Sequence, residues 1–164
     1  MFIHCLLAYL ILSSGENRWL AGQPSTESRT ERSVSPLPAF LIVEELQSKP
    51  GDDELRGLLK KRHNAIAVAL EQRFKEWEAG RGTLGFLIRD AEYLRKARLD
   101  LCIKDKDRLT ILQQYVDWTK VIEVQSRSQF ENGRLALHDW KETEYYLHDA
   151  QIEYLRAQHA AKGP

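Results

Sequence analysis

The stretch FENGRLALHDWKETEYYLHDAQIEYLRA, running from Phe130 to Ala157, decides the fold. Ala136, Trp140, Thr143, Leu147, Ala150, Tyr154 and Ala157 recur at steps of 4, 3, 4, 3, 4 and 3. That period places all of them on one face of a helix, with small and large residues alternating along the seam. Gly133 stands where a preceding helix needs a left-handed residue to stop, a conformation glycine adopts without a Cβ penalty. Asp139 falls near the start of the next helix, where its charge suits the positive end of the dipole. The stretch reads as a tight helix–turn–helix hairpin.

Working upstream, the same pattern recurs. Setting Gly80 against Gly133 gives an offset of 53 residues, at which Trp77 meets Phe130, Glu78 meets Glu131 and Arg81 meets Arg134. Tyr93 then meets Tyr146, Leu94 meets Leu147, Ala97 meets Ala150, Leu59 meets Leu112 and Val68 meets Val121. Several of these are uncommon residue types, so the chain contains a duplicated helical hairpin.

An aromatic residue three before a glycine, an Asp six after it, and then small residues and Leu at helical spacing resemble the α-helical hairpin of TolC-like outer-membrane efflux proteins. The second copy carries the likeness through Phe130, Gly133, Asp139, Thr143, Leu147, Ala150 and Ala157. The first copy departs from it, with Phe86 at the Asp position and additional glycines at Gly82 and Gly85. The resemblance spans about residues 55–160. It implies a non-enzymatic, envelope-associated protein whose turns form a tip that meets a partner. No segment shows the alternation of about ten residues that a barrel strand needs, so the likeness concerns the hairpins only. The expectation is a reduced relative, a fragment or a convergent helical bundle.

The remaining chain divides by composition. Phe2 to Leu12 is an uncharged apolar run, too short to span a bilayer, and Ser13 and Gly15 supply small residues for a cleavage site. Residues 1–15 therefore read as a signal peptide and the product as exported, periplasmic or envelope-associated. No Lys or Arg precedes the run, and the protein is cytoplasmic if this start is not a signal. Residues 16–53, rich in Ser, Thr, Glu, Arg and Pro, read as a disordered linker with a short helix near 39–46. Asp52 or Asp53 is placed to cap the first long helix.

The hairpin domain covers 54–160, in copies 54–103 and 106–160. Helices are expected over about 54–79, 84–103, 106–132 and from about 136 onward. Leu59, Ile66, Leu70, Phe74 and Trp77 mark the inner line of the first, and Leu84, Leu87, Ala91, Leu94 and Leu101 that of the second. The third carries two apolar lines. One runs through Leu109, Leu112, Val116, Thr119 and Phe130, the other through Ile111, Tyr115, Trp118 and Ile122, so that helix is two-sided. The expected architecture is all-α, two tandem hairpins forming a short antiparallel four-helix bundle or coiled coil.

Lys plus Arg and Asp plus Glu are both 24, so no net charge draws the chain to nucleic acid or acidic lipid. The basic run Lys60-Lys61-Arg62 is short, and the aromatic residues fall at helical spacing, which suits packing better than base stacking. The five histidines include no HExxH pair, and Glu144 and His148 are four apart where helical di-iron sites use three. They read as solvated or helix-capping, with no metal and no cofactor expected. Gly80-Arg81-Gly82 lacks the Lys-Ser/Thr of a phosphate loop. Cys102 stands alone after Cys5, with no intrachain disulfide expected, and no catalytic constellation is present. The candidate site is therefore the pair of turns, Gly80, Arg81, Gly133 and Arg134, with Asp139, contacting protein partners or a second copy through the helices. The alternative is a small helical scaffold with no transport role.

Overall fold

The computed structural model describes residues 38–162, and the readings made for residues 1–37 lie outside them. The described chain is all-helical: α1 (Glu54–Glu78), α2 (Leu84–Leu101), α3 (Asp105–Glu131) and α4 (Leu137–Lys162). These pack as two hairpins, α1 on α2 and α3 on α4, with a smaller interface between α2 and α3. Short connections force neighbouring helices antiparallel. The pairing along α1 and α2 shows it: Arg62 reaches Asp100 at 2.6 Å, and Arg73, further along α1, reaches the earlier Asp90.

Each boundary has a local cause. Asp53 opens α1 by accepting the amide of Arg56 at 2.7 Å, as an N-cap does. Its neighbour Asp52 accepts the Lys49 amide at 2.8 Å and also binds the buried ammonium of Lys60. Lys60 turns inward, donating to the Gln47 carbonyl at 3.0 Å as well. Helix α2 stops at Leu101, two residues before the expected end, because Cys102 adopts an extended backbone; Asp105 and Asp107 then favour the start of α3.

The core is aromatic and aliphatic. Leu70, Phe74 and Trp77 of α1 meet Leu84, Leu87, Ile88, Ala91 and Leu94 of α2 and Tyr115, Trp118 and Ile122 of α3. Both apolar lines of α3 are used, since Leu112 and Thr119 are buried as completely as Trp118 and Ile122. Burying each large side chain stabilises the fold by about 1.5–3 kcal/mol relative to leaving it in water. On the α3–α4 side the seam is built of small residues, with Thr143 and Ala150 the buried residues of α4. The Thr119 and Thr143 hydroxyls donate to the carbonyls of Val116 and Trp140 at 2.9 and 2.7 Å, so neither leaves its oxygen unsatisfied.

Residues 38–53 depart from the expectation of a linker with a short helix. The chain makes a turn closed by the Leu41 amide on the Pro38 carbonyl at 2.8 Å, continues without a helix, and turns again, the Asp52 amide on the Lys49 carbonyl at 3.1 Å, before α1. Phe40 is fully buried, its ring 5.3 Å from that of Tyr115 and 5.7 Å from that of Trp118. The Asn64 side chain of α1 replaces the helix ladder: its amide donates to the Leu46 carbonyl and its oxygen accepts the Leu46 amide, each at 3.0 Å. The β-branched Ile42 and Val43 suit this extended course. The segment is a strap packed onto the bundle.

Candidate functional site

The two turns are built identically. In the first, the Gly80 amide donates to the Trp77 carbonyl at 2.9 Å and the Arg81 amide to Glu76 at 2.9 Å. In the second, the Gly133 amide donates to Phe130 at 2.9 Å and the Arg134 amide to Gln129 at 2.8 Å. Both are Schellman motifs, the paired bonds that close a helix through a left-handed glycine. Gly80 and Gly133 have φ of 72° and 68°, and a Cβ on either would meet nothing within 4 Å. The next helices also start in step, Leu87 on Thr83 and Trp140 on Ala136, both at 3.2 Å. The 53-residue repeat is therefore a repeat of hydrogen bonds as well as of letters.

Because the helices run alternately, both turns lie at one end of the bundle. Trp77 and Glu78 beside the first turn share a groove of about 310 Å³ with Gln125, Ser128 and Gln129 beside the second. The backbone amides of Arg81 and Arg134 satisfy helix carbonyls. Their side chains are exposed and make no hydrogen bond or ion pair among the described residues. Near them the first turns of α2 and α4 expose Phe86 and Leu137. Phe86 lies beneath two guanidinium groups, Arg73 at 5.3 Å and Arg89 at 4.8 Å from its centroid. Both arginines also bind the buried carboxylate of Asp90.

Asp139 stands in the first turn of α4, half-buried, with His138 Nε2 3.4 Å from its carboxylate. Its neighbour Trp140 stacks on Phe130 at 5.0 Å, receives Lys141 over its ring at 4.2 Å and donates Nε1–H to Glu123 at 3.1 Å. Asp139 thus belongs to the tip by position, next to an aromatic lock between α3 and α4. Among the five sequence candidates, Gly80, Arg81, Gly133 and Arg134 form two equivalent turns, and Asp139 is on the second hairpin alone.

A second feature lies at the other end, where the strap, α1, the end of α2 and the start of α3 line an open cleft of about 440 Å³, with Ile42 and Ile103 exposed at its edge. His63, Arg98 and Cys102 line it among apolar residues that include Val43, Leu46, Leu101 and Ile111. His63 is buried, contrary to the expectation of solvated or capping histidines; its Nδ1 lies 3.1 Å from the Asn64 side-chain oxygen. Burial holds its imidazole below the ordinary histidine pKa, against the opposing Asn64 hydrogen bond and with help from the Arg98 charge. Burial likewise lifts the Cys102 thiol above its ordinary value and lowers that of Arg98.

The sequence held a signal for both residues. His63 falls between Leu59 and Ile66 on the inner line of α1, and Arg98 between Leu94 and Leu101 on that of α2. A polar residue at such a heptad position points inward whatever its chemistry. The cavity itself could not be read, because its wall comes from segments far apart in the chain. The chain matches no family model, no curated protein and no solved structure.

Proposed function

We propose that this chain is a non-enzymatic helical docking module that meets a protein partner through the end bearing its two turns. The observation that carries this reading is the duplicated Schellman turn, which presents Arg81 and Arg134 side by side in kind, exposed and without intramolecular partners among the described residues. Arginine and exposed aromatic or aliphatic groups are the chemistry of interface hot spots, and Phe86 and Leu137 supply the latter at the same end. Rigid turns also lose little entropy on docking. Tip docking of paired hairpins is the role implied by the resemblance to efflux-protein hairpins, and an envelope location belongs to that same reading.

The test is site-specific photo-crosslinking in the source cells, with the crosslinker at Arg81, at Arg134 and, for comparison, at Lys61 on the side of α1. A discrete adduct from both tip positions and none from Lys61 is expected. Equal or absent adducts at all three positions would remove the reading. Fractionation of the same cells decides the envelope part: recovery in the soluble cytoplasmic fraction leaves a docking scaffold without an envelope role.

A further inference from the structure

The cleft at the strap end is lined by Arg98, whose charge the fold does not neutralise. Arg98 occupies an inner position on α2, where its Nη2 donates to the Gln114 side-chain oxygen at 2.7 Å and its guanidinium lies 5.6 Å from the centroid of Phe40. Both partners are uncharged. Its Nη1 is sealed from solvent and makes no hydrogen bond, and no carboxylate is ion-paired to it among the described residues. A largely buried cation without a counter-ion is costly, and an anion brought close to it relieves part of that cost.

We infer that this cavity binds a small organic anion, an oxyanion head group on an apolar body, with Arg98 as its counter-ion. The volume of about 440 Å³ lies within the range of small-molecule sites, and the lining has their character of apolar walls with a few convergent polar groups. Val43, Leu46, Leu101 and Ile111 receive the body, while the Arg98 charge in the wall attracts the head group through space. The other charges around the cavity are Arg56, Lys104, Glu44 and Asp107. Arg56 is engaged by Asp52 at 3.5 Å, and Glu44, Lys104 and Asp107 are exposed, where water screens them. Arg98 therefore sets the sign of the buried part. This site is at the opposite end from the turns and stands independently of tip docking.

The test is calorimetric titration of the full chain with octanoate, phenyl phosphate, 1-octanol and inorganic phosphate. Octanoate or phenyl phosphate is expected to saturate one site, and the tighter of the two identifies the head group as carboxylate or phosphate. Octanol, which has the body without the charge, and inorganic phosphate, which has the charge without the body, are each expected to bind at least about tenfold more weakly. Arg98→Met is expected to weaken the anion by about tenfold or more while Arg98→Lys retains most of the binding. Leu101→Trp, which fills the cavity, is expected to abolish it and serves if Arg98→Met does not fold. The inference is overturned if neither anion saturates at about 10 mM, if octanol binds as well as octanoate, or if Arg98→Met, or in its place Leu101→Trp, leaves the affinity unchanged.

Discussion

Gly82 passes so close to Trp77 that a Cβ on it would lie 2.8 Å from the Trp77 backbone nitrogen and 2.9 Å from its Cα. Those atoms belong to the last turn of α1 and cannot swing aside as a side-chain tip would. Gly82→Ala should therefore cost about 1–3 kcal/mol of stability, the usual penalty for overpacking, read as a lowered midpoint in urea. An unchanged midpoint would show that the turn relaxes freely. The equivalent position in the second hairpin is Leu135, which is half-buried against the core, so the two turns diverge directly after their shared hydrogen bonds.

At Gly80 and Gly133 the constraint is conformational, since both have positive φ and open space where a Cβ would go. Gly133→Val should destabilise by about 1–2 kcal/mol, because a β-branched residue resists the left-handed region. Gly133→Asn should cost distinctly less, since asparagine tolerates that region. Equal losses for Val and Asn in thermal melts would point to a steric cause and away from the backbone.

Phe40 tests whether the strap belongs to the fold. It is fully buried between Tyr115 and Trp118, so Phe40→Ala should cost about 3–5 kcal/mol, as large-to-small core changes do. A loss below about 1 kcal/mol, the scale of a surface change, would return residues 38–53 to the status of a linker.

His63 gives the fold a pH dependence of definite sign. Burial lowers its pKa in the folded state below the ordinary value of 6.5, so between the two values the unfolded chain binds more protons. Stability from this group is full above about pH 6.5 and falls as the pH drops toward the folded pKa, below which it no longer changes. His63→Gln should flatten that part of the stability profile in urea titrations at stepped pH. A wild-type profile that is already flat there would place the protonated ring in an equally favourable folded environment.

The duplicated hairpin and the two-sidedness of α3 were legible because they depend on periodicity and on glycine placement, which local chemistry dictates. The inner lines of α1 and α2 were read from their apolar members, Leu59 to Trp77 and Leu84 to Leu101. The residues that proved chemically interesting, His63, Arg98 and Asp90, are polar residues within the inner faces, which a search for apolar periodicity passes over. Asp90 is buried because Arg73 and Arg89 reach it, a partnership across α1 and α2 that only tertiary geometry reveals. The strap was hidden for a related reason. The apolar residues within 39–46 suit a short helix as readily as an extended course. The extended course is held by the Asn64 amide on Leu46 and by the pocket that receives Phe40, both supplied from elsewhere in the chain.

The interfaces are extensive within each hairpin and slighter between them, and Phe40 fastens the strap to the middle of α3, in the second hairpin. Tension on the strap would be borne first by Phe40 between Tyr115 and Trp118, and only after its release by the junction of α2 with α3 and the ion pair of Arg95 with Glu153, which ties α2 to α4. The bundle would then part along the seam between its hairpins, with each closed turn carried away intact on its own pair of helices.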